Sequence, residues 1–146
     1  MKGFTLLEVL ISVAILAIVG TILISAFGSF RAAEDLREAH SNIIGLLKDA
    51  RARTLSSDSN SGYGVHFETL RAVLFKGVAY SSSDPLNEIY NLPGSVQIST
   101  ISLGGPVDTV FTRLLGTTTS SGTVILQSLR NSSTKVITIE PTGVVK

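Results

Sequence analysis

The hydrophobic and polar positions divide the chain into two unlike stretches. Residues 9–30 run without a charged side chain and are dominated by Val, Ile, Leu and Ala. A helix over them is about 33 Å long at 1.5 Å per residue, close to the ~30 Å hydrocarbon core of a bilayer. Ser12, Thr21 and Ser25 can return their hydroxyls to backbone carbonyls one turn earlier, while Gly20 and Gly28 loosen the helix or permit close packing. From Arg31 charges appear, yet the helical period continues. Leu36, Ala39, Ile43, Leu46 and Ala50 follow a three–four spacing, with Ile44 and Leu47 widening the stripe and most charges on other faces. Glu34 with Arg37 and Asp49 with Arg53 are spaced as favourable pairs, Glu34 with Glu38 as a repulsive one. The breakers Asp58-Ser59-Asn60-Ser61-Gly62 end the pattern. One helix is therefore predicted from about Phe4 to about Leu55, apolar all round in its first half and amphipathic in its second, with the stripe facing the chain's own C-terminal part.

Beyond the breakers the period shortens to two. Tyr63-Gly64-Val65-His66-Phe67-Glu68 alternates with Val65 and Phe67 on one face, and residues 72–75, 78–80, 96–99, 123–129 and 135–140 read as further strands. Asn131-Ser132-Ser133 and Glu140-Pro141-Thr142-Gly143 read as turns, and residues 81–85 and 117–122 as loops. The expected fold class is α+β: a long N-terminal helix covering a mostly antiparallel sheet or two-sheet sandwich.

Composition changes this picture little. The 146 residues allow one domain, and the 44% hydrophobic content is concentrated in the first thirty positions. A net charge of +1 supplies no global field to draw in nucleic acid or anionic lipid, and the absence of cysteine removes disulfides and thiolate metal sites.

Glu8 changes it more. A cleaved secretory signal would account for Lys2, the apolar run and an Ala26-Phe27-Gly28 cut, but its apolar core would exceed the usual length and Glu8 would interrupt its start. A plain signal anchor has no use for an acid there. A carboxylate carried to membrane depth costs about 2.5–3.5 kcal/mol, so it calls for a partner. No Lys or Arg lies one helical turn away. A chain cut just before Phe4 would provide one, the new α-amino group of a neighbouring copy, and would make assembly the condition for neutralising both charges.

Gly3-Phe4-Thr5-Leu6-Leu7-Glu8, followed at once by a long apolar helix, resembles the prepilin signature of type IV pilins and of the pseudopilins of type II secretion. The resemblance implies cleavage after Gly3 by a membrane aspartyl peptidase, N-methylation of Phe4, and pairing of Glu8 with that amine in an adjacent subunit. It divides the chain into a leader (1–3), a transmembrane half-helix (4–30), an amphipathic half-helix (31–57) and a β-rich head (58–146). It implies a pilin-like fold, other pilin or pseudopilin subunits, the prepilin peptidase and methylase, an inner-membrane assembly platform and membrane lipid as partners. The chain would cross the inner membrane once, with its N-terminus cytoplasmic and its head outside, before entering a filament. More loosely, Leu46-Leu47-Lys48-Asp49-Ala50-Arg51 and the closing runs at 122–126, 136–139 and 143–145 are similar to H-type minor pseudopilins and their FimT-like relatives.

Other chemistry is sparse. His40 and His66 are the only histidines and show no metal-ligand spacing, so neither a metal nor a cofactor is expected. A Ser-His-Asp site is not eliminated by counting, although no Gly-x-Ser-x-Gly elbow occurs. Gly62-Tyr63-Gly64 leads into a strand, unlike a phosphate loop. Asp84 and Glu88 lack the regular oxygen spacing of a calcium loop, and the sequon at Asn131 coincides with a turn. Arg113, Arg130, Lys135 and Lys146 are too scattered for the clustered phosphate contacts of nucleic-acid binding. The expectation is a structural subunit and not an enzyme; the alternative is a membrane-tethered module that binds DNA or a secreted substrate.

Overall fold

The computed structural model describes residues 3–146, with the side chains of all of these except Ser25 and Ala26. The Met1 and Lys2 of the expected leader, the Ser25 hydroxyl and the Ala26 of the alternative cleavage site lie outside the described residues.

A single helix, α1 (Leu6–Leu55), carries the first third of the chain. Thr5 caps it, extended in backbone and accepting from the Glu8 N–H at 3.3 Å. The expected back-bonding occurs: the Ser12 hydroxyl donates to the Glu8 carbonyl and Thr21 to that of Ile18, each at 2.7 Å. At the far end Ser56 caps the helix and Ser57 turns left-handed, leading into a short 3-10 turn over Asp58–Asn60.

Seven strands succeed it: β1 (Tyr63–Glu68), β2 (Arg71–Lys76), β3 (Glu88–Asn91), β4 (Val96–Leu103), β5 (Asp108–Val110), β6 (Gly122–Ser128) and β7 (Thr134–Ile139). They form two antiparallel sheets, ordered β3-β2-β1-β5 and β4-β6-β7. The fold is α+β and pilin-like, an apolar N-terminal helix continuing into a stripe that packs on an antiparallel β domain. Leu36, Ala39, Ile43, Leu47 and Ala50 of α1 share one core with Val65 and Phe67 of β1, Leu74 of β2, Ile98 of β4, Leu126 of β6 and Ile137 of β7. Close packing demands a glycine in β1, because a Cβ on Gly64 would lie 2.7 Å from the Phe75 ring and 2.8 Å from the Thr109 carbonyl.

Several details differ from the sequence reading. The buried seam runs through Leu47, with Leu46 only half-buried; from Ile43 both the third and the fourth positions fit a helical stripe, and contact with the sheets selects the fourth. Residues 78–80 do not continue the strand pattern. Gly77 takes φ +114° and ends the β1–β2 ladder, leaving Val78 exposed and Tyr80 stacked on His66 at 3.9 Å. The polar edge strand β3 and the three-residue β5 carry too little alternation to be read in advance. β4 is longer than expected because a bulge at Ser99 resets its register against β6. Both expected turns are present. The Asn131 side-chain oxygen accepts from the Ser133 N–H at 3.2 Å, and Gly143 (φ +78°) donates to the Glu140 carbonyl at 2.8 Å.

Candidate processing and assembly site

Gly3, Phe4 and Glu8 lie together at the start of α1. Gly3 stands in open space and Phe4 is 83% exposed. Thr5-Leu6-Leu7-Glu8 has the spacing of a capping box, with Thr5 as N-cap and Glu8 three residues on. Glu8 therefore suits the helix end in its own chain, where a carboxylate meets the positive pole of the helix dipole. That local role is a second use of Glu8 that reading the acid against a membrane overlooks, although the T-x-x-E pattern signals it. Among the described residues no cation lies within ion-pair distance of the Glu8 carboxylate. The apolar surface beyond Glu8 is bare. The most apolar window of α1 has mean hydropathy 2.7 and none of it is buried within the chain.

The other end of α1 is held by polar contacts. The buried Thr54 hydroxyl donates to the Ala50 carbonyl at 2.8 Å and accepts from the Tyr63 N–H at 2.9 Å, joining helix to first strand. Arg51 donates to the Gly116 carbonyl at 3.0 Å. Arg53 pairs with Asp49 at 2.7 Å and with Glu88, and these carboxylates raise its pKa. Glu88, one of the two acids of the candidate calcium loop, is thus committed to a guanidinium. The other, Asp84, accepts from the Leu86 N–H in its own turn at 2.9 Å.

Sequence reading missed one cluster in the head. His66 projects from the outer face of β1, its Nδ1 against Asp108 of β5, its Nε2 3.7 Å from Glu68 and its ring on Tyr80. Asp108 is distant in sequence, and only the β1–β5 pairing brings it there. Among the described residues no hydroxyl hydrogen-bonds the ring. His40 lies apart, its Nε2 3.3 Å from the Val136 carbonyl. The basic residues weighed for phosphate contacts are also dispersed. Arg113 bonds Ser57 beyond the end of α1, Arg130 lies over Gly28, and Lys146 pairs with Glu140.

Residues 1–24 match the family described as the prokaryotic N-terminal methylation motif. No curated protein and no solved structure matches the chain. The matched residues take in Gly3, Phe4, Glu8 and most of the bare apolar surface, and stop short of the head. By that motif, placed on a long apolar helix that packs on an antiparallel β domain, the chain carries the signature of the type IV pilins and pseudopilins, which is that of a structural subunit.

Proposed function

We propose that the chain is a minor pilin or pseudopilin, stored in the inner membrane through its N-terminal helix and assembled into a type IV pilus or type II secretion pseudopilus. A prepilin peptidase removes residues 1–3, cutting after Gly3, and its methylase modifies the new amine of Phe4. Residues 4–30 span the membrane with the N-terminus cytoplasmic, 31–57 continue the helix against the head, and 58–146 form the extracytoplasmic head. The assembly platform then draws the subunit into a filament with its neighbours.

The observation that supports this reading is the placement of Glu8. Its carboxylate stands at the start of a bare apolar helix, one turn from Phe4, with no cation beside it in its own chain among the described residues. The free amine of a processed neighbour has the charge and the membrane depth to neutralise it, so filament growth removes two unpaired charges in one step.

Processing is tested by mass spectrometry of the N-terminus after co-expression with the native peptidase. A chain beginning at N-methylated Phe4 is expected; an intact Met1 sinks the proposal. Two variants then separate the roles of Glu8. Glu8→Gln keeps a side chain suited to a capping box and loses the charge, whereas Glu8→Ala loses both. Both are expected to insert normally and fail to enter filaments. Native assembly of Glu8→Gln would mean that the residue acts through its cap alone.

A further inference from the structure

At the opposite end of the apolar helix the head comes down onto α1. The turn between β6 and β7 places the Arg130 guanidinium directly over Gly28, where a Cβ would lie 2.8 Å from Nη2. Arg130, Arg31, Gly28, Ala32, Asp35 and Ser95 line a groove of about 310 Å³. Leu129 beside Arg130 is 56% exposed, and its N–H donates to the Ser95 carbonyl at 2.8 Å, tying the turn to the loop before β4. Among the described residues neither Arg31 nor Arg130 has a carboxylate partner. The one acid in the groove, Asp35, accepts from the Ser95 hydroxyl at 2.5 Å.

We propose that this junction docks the head on the membrane by binding phospholipid headgroup phosphate between Arg31 and Arg130, with Leu129 reaching into the acyl boundary. The inference rests on the membrane-spanning reading of α1, and the position of the groove selects the occupant. The uncharged run ends at Phe30 after about 33 Å of helix, so Arg31 emerges where the ~30 Å hydrocarbon layer gives way to headgroups. Gly28 lies about 4.5 Å deeper along the axis. Bare Gly28 gives the Arg130 guanidinium a place to lie against the helix within one turn of Arg31, so both cations stand at the same boundary. Two guanidiniums suit one phosphate, each offering paired donors. The docked head holds the stored subunit at a fixed height, and extraction into a filament must break the contact.

The natural chain has no cysteine, so single spin labels report cleanly on the full-length protein. Labels would be placed at Ile15→Cys in the span, Ser133→Cys in the β6–β7 turn, and Thr119→Cys, which shares a groove with Asn60 and Ser61 beyond the helix end. The protein would be reconstituted in phosphatidylcholine vesicles with and without phosphatidylglycerol, and relaxation by a water-soluble nickel chelate measured. The span label should be shielded, the Thr119→Cys label open, and the Ser133→Cys label shielded more strongly with phosphatidylglycerol. Arg31→Gln and Arg130→Gln should each lower the ratio of docked to free head about fivefold in phosphatidylglycerol vesicles, as expected of one basic residue at an anionic surface, while Arg130→Lys retains most of it. An open Ile15→Cys label overturns the membrane reading and the docking with it. A shielded Ile15→Cys label with Ser133→Cys as open as Thr119→Cys overturns the docking alone. Shielding that ignores both the arginines and the lipid charge overturns the headgroup contact.

Discussion

The two halves of α1 are built by the same backbone and answer to different surroundings. Between Leu6 and Phe30 every large hydrophobic side chain among the described residues is exposed, Leu16 at 70% and Ile24 at 76%. In the second half Ala32, Leu36, Ala39, Ile43, Leu47, Ala50 and Thr54 are buried in a single row. The row advances by three and four residues, the signature of a helix facing one core. The first half has no such row, because a helix that is apolar on every side has no preferred face in water and needs an apolar environment all round it. What distinguishes the halves is therefore angular distribution more than hydrophobicity. The sharpest break of the comparison is the matched pair Leu47→Ala and Leu16→Ala, measured by chemical denaturation of the full-length protein in detergent. Leu47 is fully buried, and its truncation should cost the head about 2–5 kcal/mol. Leu16→Ala should leave the head's midpoint where it was; equal losses would mean that the span packs on the head.

Hydroxyls divide the halves in the same way. Ser12 and Thr54 both donate to the carbonyl four residues back, but Thr54 is buried and also receives the Tyr63 N–H. Thr54→Val preserves shape and strands that donor, so a loss of about 1–3 kcal/mol is expected in the same denaturation assay. Ser12→Ala returns only an exposed hydroxyl's bond and should be silent. A silent Thr54→Val would place the helix–strand junction outside the cooperative unit.

The sequence disclosed the halves differently as well. The apolar run and the end of α1 near Leu55 were legible because composition and breakers mark them without reference to anything distant, whereas the Thr5 cap was passed over although its T-x-x-E spacing is local. Five of the seven strands were legible from alternation, β4 only in its first half. Leu46 against Leu47 could not be decided locally, since the sheets make the choice. β3 was hidden because an exposed polar edge strand has no buried face to alternate, and Val78 misled because the φ of Gly77 outweighs the β propensity of a valine. At the candidate site, Gly3, Phe4 and Glu8 are contiguous enough to be read together. The His66–Asp108 pair and the Arg130–Gly28 contact depend on strand pairing and on a hairpin reaching back to the helix. Neither leaves a trace in spacing.

Glycines sharpen the contrast with a gain instead of a loss. Gly45 in the second half and Gly20 in the first both face open space, with nothing within 4 Å of an added Cβ. Gly45→Ala should stabilise the head by about 0.5–1 kcal/mol through helix propensity, seen as a raised melting temperature. Gly20→Ala should leave that melt unchanged, because the span contributes nothing to head unfolding. A reduced filament yield from Gly20→Ala alone would place Gly20 at a contact between subunits, where small residues let helices approach.

The smallest effect is the pH dependence of the melt, which reports on the head alone. Arg71 holds the Glu68 carboxyl below its usual range, and Lys146 does the same for Glu140. A carboxyl whose pKa is depressed by folding binds fewer protons in the native than in the unfolded chain. Its contribution is therefore complete above the unfolded value of about 4.3, and is lost as pH falls through the lower folded value. Tyr63 has the opposite sign. Burial raises its phenol, so its contribution is complete below the unfolded value of about 10 and is lost as pH rises through the folded one. From these groups the melting temperature should fall as pH drops below about 5 and again as it rises above about 9, by on the order of a degree or two. Glu68→Gln with Glu140→Gln should lower the melting temperature at neutral pH slightly and shrink the acid limb, while Tyr63→Phe should shrink only the alkaline one. An acid limb unchanged in the double variant would assign it to other carboxylates of the head, because surface pairs such as these contribute little each.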